Sequence, residues 1–197
     1  MRMEQFNLKK YLILVSITLI FILILYLNVI SYNNNIIKVS NEYSETFKEL
    51  NANVVLKNSL AEITIDKGNN NGIEEGDIAI NSNALVGIVF EVNDDNSVIR
   101  LITNNQNKVS VKVDDNSVYG LLDEYNNNYL IMKNVSKKKI EVGSRIVTTG
   151  IGYIYPSGIY VGEVENIIFS DLGDSKVLIK TPVDFNNISN VIILKKW

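Results

Sequence analysis

Between Tyr11 and Ile30 the chain reads YLILVSITLIFILILYLNVI, a run in which 17 of 20 residues are apolar and none is charged. At ~1.5 Å rise per residue, a helix of this length covers about 30 Å, the hydrocarbon thickness of a bilayer. A helix of that length packed into a soluble core normally keeps a polar face, and this one has none. A cleavable leader has a shorter apolar region, ~7–15 residues, and ends at a small-x-small site. Asn28-Val29-Ile30-Ser31-Tyr32 offers no such site. The expectation is an uncleaved transmembrane helix over 11–31. Residues 1–10 carry Arg2, Lys9 and Lys10 against Glu4, so this tail stays cytoplasmic and the bulk of the chain lies outside a cell (inner) membrane crossed once.

Charge and composition narrow the chemistry of that outer part. The net charge of −3, with the tail's +2 taken away, leaves −5 outside, the wrong sign for a nucleic-acid partner. The chain has no histidine and no cysteine. Imidazole acid–base catalysis, thiolate nucleophiles, disulfides and the usual N/S zinc sites are therefore excluded. The stretch Asp66-Lys67-Gly68-Asn69-Asn70-Asn71-Gly72 fails the calcium-loop spacing, because position 3 is Gly68 and position 6 is Asn71. Gly173-Asp174-Ser175 is similar to the nucleophile segment of double-barrel serine proteases but continues with Lys176-Val177, and no histidine exists to activate Ser175 or Ser157. No catalytic residue, metal site or cofactor is expected, and the chain is read as a non-enzyme.

Past the apolar run, Ile36, Val39, Tyr43, Phe47, Leu50 and Val54 recur at steps of three and four, with Glu42, Glu45, Lys48 and Glu49 between them. This spacing predicts an amphipathic helix over 32–54. It serves either as a short self-associating coil through Ile36, Val39, Tyr43, Phe47 and Leu50, or as a single helix lying on its own domain. After residue 54 the pattern becomes alternating. Short stretches rich in Val, Ile, Tyr and Thr, such as Leu85–Val92, Val109–Val113 and Ile159–Phe169, are separated by Gly, Asn and Asp clusters. Ten or more such strands mean a mainly β fold, sandwich or barrel.

The β region contains an internal echo. Ile73-Glu74-Glu75-Gly76-Asp77-Ile78 leads to Leu85-Val86-Gly87-Ile88-Val89, and Ile140-Glu141-Val142-Gly143-Ser144-Arg145 leads to Tyr160-Val161-Gly162-Glu163-Val164. Gly76 and Gly143 are expected at turns, Gly87 and Gly162 inside strands at a bend or bulge, and Gly68 and Gly72 in the preceding turn. The second copy carries an insertion from Thr148 to Tyr155. There Gly150, Gly152, Pro156 and Gly158 shape a rigid loop. Its aromatics Tyr153 and Tyr155, with Pro156, are a candidate partner-contact surface, the alternative being a buried structural loop.

These residues resemble the MreC family of rod shape-determining proteins. The resemblance rests on Ile65-Asp66-Lys67-Gly68, Gly72-Ile73-Glu74-Glu75-Gly76-Asp77, Ala84-Leu85-Val86-Gly87-Ile88-Val89, Ser97-Val98-Ile99-Arg100-Leu101-Ile102-Thr103, the loop from Thr149 to Val164, and Thr181-Pro182-Val183-Asp184-Phe185. Thr149 stands where the family usually has serine. The resemblance implies two small, similar, about six-stranded β-barrels, here placed at 55–122 and 123–197. Whether the last strand near Val191 closes the first barrel is left open. It also implies a non-enzymatic scaffold coupling MreB-type filaments to peptidoglycan synthesis. The partners it implies are MreD, RodA, a class B penicillin-binding transpeptidase and further copies of itself as dimer or filament. A membrane-anchored double-barrel serine hydrolase and a periplasmic adaptor-like transport component are the alternatives.

Overall fold

The computed structural model describes residues 15–28, 47–114, 118–135, 140–169 and 175–196. Residues 15–28 are helical, about 21 Å at ~1.5 Å per residue. Among the described residues, no helix is long and apolar enough to cross a membrane. The tail 1–10 and the coil positions Ile36, Val39 and Tyr43 lie outside the described residues.

The remainder is one compact unit of twelve strands among the described residues: β1 (Phe47–Asn58), β2 (Glu62–Ile65), β3 (Ile78–Asn81), β4 (Ala84–Val92), β5 (Ser97–Leu101), β6 (Val109–Val113), β7 (Tyr119–Asn126), β8 (Tyr129–Val135), β9 (Arg145–Thr149), β10 (Ser157–Ile168), β11 (Ser175–Lys180) and β12 (Asn190–Lys196). They close into two six-stranded antiparallel barrels, ordered β1-β12-β3-β4-β5-β2 and β10-β11-β8-β7-β6-β9. The two-barrel architecture is as the sequence indicates. Closure pairs every strand on both sides and leaves no free sheet edge.

The alternation that builds each interior is plain in β5 and β6. Ser97, Ile99 and Leu101 point inward from one, and Val109, Val111 and Val113 from the other. Ile63, Ile65, Leu85 and Ile193 complete the first core; Leu122, Leu130, Met132, Ile146, Val161 and Ile179 fill the second. Each such side chain contributes ~1.5–3 kcal/mol on burial.

The two barrels share one plan. Reading round each ring, β3, β4, β5, β2, β1 and β12 match β9, β10, β11, β8, β7 and β6. The match extends to irregularities. The β4–β5 register slips between Val89 and Glu91, and the β10–β11 register slips between Val164 and Asn166. Likewise β1 slips between Val54 and Leu56, and β7 between Leu122 and Glu124. Gly76 and Gly143 both adopt positive φ, 90° and 85°. The amide of Gly76 donates to the Val89 carbonyl at 2.9 Å, and that of Gly143 to the Val164 carbonyl at 2.8 Å. The order along the chain differs, however. The second barrel uses six consecutive strands, whereas the first takes β1–β5 and is closed by β12. Phe47 lies opposite Lys196 and Asn53 opposite Asn190, with Ile192–Leu194 against β3 on the other side.

Two expectations are corrected. Phe47, Leu50 and Val54 do not lie on a helix: Phe47–Asn58 is strand β1, where Phe47 is buried and Leu50 faces Ile193 of β12. A three-to-four spacing suits a helix locally, but pairing with a strand from the far end of the chain overrides it. The barrel boundary at 122/123 falls inside β7, which pairs continuously with β8. The real division is the connection 102–108 between β5 and β6.

A second connection, 181–189, runs from β11 back to β12 and is pinned to both barrels. Phe185 is fully buried, edge-on to Tyr125 of β7 with centroids 5.7 Å apart. Lys57 Nζ of β1 donates to the Asn186 carbonyl at 2.6 Å.

Candidate interaction surface

Matching positions on the two barrels mark what was added to the plan. In the first barrel, β3 and β4 are joined by Ser82 and Asn83 alone, at φ 51° and 60°, the two-residue turn that fits strand twist. In the second barrel, the equivalent strands β9 and β10 are separated by residues 150–156. The first barrel closes with its two-residue turn, so the shared plan does not call for the longer loop.

The loop is held rigid from its base. Thr149 Oγ1 accepts the Ile151 amide at 3.0 Å and donates to Ser110 Oγ at 2.8 Å. Thr148, fully buried, accepts the Ile159 amide at 2.9 Å and donates to the Pro156 carbonyl. Serine at 149 would make the same bonds. The Tyr153 amide closes a turn onto the Gly150 carbonyl at 3.2 Å. Gly150, Gly152 and Gly158 have positive φ, and so does Tyr153 at 59°, a conformation that costs a non-glycine residue ~1–2 kcal/mol.

The three candidate contact residues separate. Tyr153 stands 96% exposed at the loop tip. Tyr155, expected to be exposed beside it, is only 5% exposed. Its hydroxyl donates to Asn107 Oδ1 at 2.9 Å, tying the loop to the connection between barrels, and burial raises its pKa above the ordinary tyrosine value. Pro156 is half-buried. Exposure passes instead to Ile151 at 66% and Ile154 at 54%, which the reading of aromatics alone missed. Their position two and five residues past Thr149 was the available signal.

Ile154 also lines a groove of about 490 Å³ running onto the first barrel, with Phe90, Arg100 and Lys108 among its walls. Phe90 is the residue at the β4 bulge and is exposed, with the Arg100 guanidinium 3.5 Å above its ring. Ile154 and Phe90 give the groove an apolar part, and Arg100, Lys108 and Glu75 are its charged lining, with Ile151 and Tyr153 exposed on the same loop as Ile154. A neighbouring cluster on the second barrel binds Lys108 and Lys133 to Asp123, with Lys133 also on Glu124. Those hydrogen bonds lower the Asp123 carboxyl to about 2.

The remaining expected positions are structural. Gly72 and Gly76 have positive φ. Gly68, Gly87 and Gly162 are sites of close backbone approach, where a Cβ would lie 2.2, 2.2 and 2.3 Å from a carbonyl oxygen of the facing segment. Ser157 opens β10 and Ser175 opens β11, and the chain has no histidine to activate either. Gly173 and Asp174 lie outside the described residues. Among the described residues, no group of acidic side chains is arranged to hold a metal ion.

Comparison with known proteins bears on this geometry. The cell shape-determining protein MreC of Streptococcus pneumoniae is 31% identical over 152 residues, 72% of this chain and 56% of that protein. The chain thus spans little more than half the length of the curated relatives it matches. A solved MreC structure from Listeria monocytogenes superposes with a TM-score of 0.73 at 22% identity, covering 86% of this chain and 91% of that one. A complex between penicillin-binding protein PBP2 and MreC from Helicobacter pylori contains a chain with the same fold, with TM-score 0.54, 18% identity, and coverage of 76% and 100%. A family model described as rod shape-determining protein MreC, barrel core, matches residues 52–195. That match runs from β1 to β12 through both barrels, and the chain belongs to the MreC family of rod shape-determining proteins.

Proposed function

We propose that this chain is a membrane-anchored extracytoplasmic scaffold of cell elongation. It maintains rod shape by coupling MreB-type filaments inside the cell to peptidoglycan synthesis outside. The observation that carries the reading is the loop 150–156: seven residues where the matching turn of the first barrel has two, rigidly based, with Ile151, Tyr153 and Ile154 exposed. Apolar side chains held on a rigid support are what a protein partner can bury at low entropic cost. We assign a class B penicillin-binding transpeptidase to this surface; the complex of the Helicobacter pylori relative with PBP2 supports that class of partner. MreD and RodA are further expected members, and Ile36, Val39 and Tyr43 are the expected self-association positions.

The apolar run 11–30 supplies the anchor, with Arg2, Lys9 and Lys10 on the cytoplasmic side. The barrels then present their surface outside without taking part in catalysis. Full-length protein in membranes of its own cells should capture a class B transpeptidase on crosslinking, and its depletion should round the cells. Tyr153→Gly combined with Ile154→Ser should weaken capture at least about tenfold while the barrels unfold as in the parent. Normal shape on depletion together with unchanged capture by the double variant would overturn the reading.

A further inference from the structure

The two covalent connections between the barrels, 102–108 and 181–189, meet at a second cleft, which shares only Gln106 with the loop groove. Its volume is about 740 Å³, and its walls include Lys57, Asn104, Asn105, Gln106, Tyr125 and Asn186. The size falls within the ~300–1,000 Å³ of small-molecule sites. We propose that this cleft binds a neutral oligosaccharide carrying acetamido groups, a proposal that rests on the extracytoplasmic placement argued above.

Charge removes other ligand classes first. Lys57 is the one cation among the described lining residues, and its ammonium is engaged by the Asn186 carbonyl at 2.6 Å. No carboxylate appears among those residues, so a cation finds no counter-charge, and the one ammonium that could meet an anion is already shared with the nearby Asp184 carboxylate. Seven of the ten lining residues carry an amide or hydroxyl group, beside Leu60 and Ala61, a mixed surface that suits a ligand with both polar groups and apolar ring faces better than a purely apolar one.

The amides then match a saccharide. A carboxamide donates and accepts, as do the hydroxyl and acetamido groups of a sugar. The side-chain amides of Asn105 and Gln106 are exposed and make no hydrogen bond to the protein among the described residues. The backbone beneath them is fixed, because Asn104 Oδ1 accepts the Gln106 amide at 2.9 Å. Tyr125 adds a flat apolar wall for the C–H face of a pyranose ring. Its ring is locked edge-on to Phe185, and its hydroxyl donates to Asn128 Oδ1 at 3.3 Å. A ligand here touches both connections at once and clamps the barrels in one arrangement.

The test titrates the full chain in detergent with chitotetraose, a chain of four N-acetylglucosamine units, using cellotetraose as the control lacking acetamido groups. Calorimetry should show saturable binding of chitotetraose at least about tenfold tighter than cellotetraose. The paired variant Asn105→Ala, Gln106→Ala changes exposed side chains only, so it folds, and it should weaken binding about tenfold or more. Tyr153→Gly, at the tip of the loop 150–156, should leave binding unchanged. Absence of saturable heat with chitotetraose, equal binding of cellotetraose, or full binding by the paired variant would each overturn the proposal. Failure of the scaffold reading shows separately, as normal cell shape and unchanged transpeptidase capture. A paired variant that loses the saccharide but still captures the transpeptidase supports the cleft as a distinct site.

Discussion

Gly162→Ala tests whether the repeated glycine of β10 is there because strands touch. The added Cβ would sit 2.3 Å from the Lys180 carbonyl oxygen and 2.9 Å from both the Lys180 carbonyl carbon and Ile179 Cγ2. An ordinary contact begins near 3.4 Å, so β10 and β11 must separate locally by about 1 Å, beside the Glu163–Lys180 pair. Forcing a methyl into a packed site costs ~1–3 kcal/mol, and a stretched ladder bond adds ~0.5–1.5 kcal/mol. The expected loss is about 2–4 kcal/mol, a large share of the ~5–15 kcal/mol a domain has. At ~2–4 °C per kcal/mol for a chain of this size, Tm should fall by about 4–16 °C. Urea and thermal unfolding followed by far-UV circular dichroism read it. Two companions calibrate the result. Gly152→Ala has φ +87° with nothing within 4 Å, so it should cost only the ~1–2 kcal/mol of left-handed strain. Gly87→Ala meets the Arg100 carbonyl oxygen at 2.2 Å in the first barrel and should match Gly162→Ala within about 1 kcal/mol. If Gly162→Ala lies within ~0.5 kcal/mol of the parent, or costs less than Gly152→Ala, the close-approach argument is wrong.

Three further expectations concern other parts of the fold. Asp123 is held at about 2 against an ordinary 3.8 by hydrogen bonds from Lys108 and Lys133. Its contribution is present above pH ~4 and disappears as the pH falls through the folded value. Urea midpoints for Asp123→Asn should therefore decline less between pH 4 and 2 than those of the parent, whose Asp66 and Asp184 titrate alike in both; identical slopes would discount the cluster. Tyr155→Phe leaves Asn107 Oδ1 without its donor and should cost ~1 kcal/mol with faster proteolysis in 150–156, and unchanged cleavage would mean the hydroxyl does not hold the loop. Removing 190–197 strips the buried Val191, Ile193 and Leu194 from the first barrel, about 5–9 kcal/mol of burial. Hydrogen exchange should then open β1–β5 while β6–β11 stay protected, and uniform protection would refute the topology.

What the sequence disclosed and what it concealed follow from the range of the interactions involved. The echo around Gly76 and Gly143 was legible because a positive φ is a demand made by a few neighbouring atoms, and glycine meets it wherever it recurs. Gly87 and Gly162 could be placed in strands for a similar reason, although the carbonyl each accommodates belongs to another strand. Strand β1 was not legible. Phe47, Leu50 and Val54 satisfy a helical repeat, and pairing makes them a strand: Phe47 and Leu50 lie against β12, far along the chain, and Val54 against Ile65 of β2. The barrel boundary was hidden because connection 102–108 reads Ile-Thr-Asn-Asn-Gln-Asn-Lys, without Pro or Gly, in a chain where asparagine is common throughout. At the loop, exposure divided neighbours of like chemistry. Tyr153 and Tyr155 are two residues apart, yet one faces solvent and the other is fixed by Asn107 across the barrel junction.

The place of β12 makes the time of synthesis matter. A chain made from its N-terminus completes β6–β11 as consecutive neighbours, and that barrel can form at once. The first barrel has five strands early and must leave one edge of β1 and one edge of β3 unpaired until β12 arrives, with the loop-closure penalty of a long intervening segment. During that interval it presents open β edges, the feature that invites aggregation and proteolysis. A product that stops short at Lys180 keeps those edges permanently. The consequence is a dependence on β12: only a chain synthesised through Asn190–Lys196 can cover the edges of β1 and β3 that otherwise invite aggregation and proteolysis.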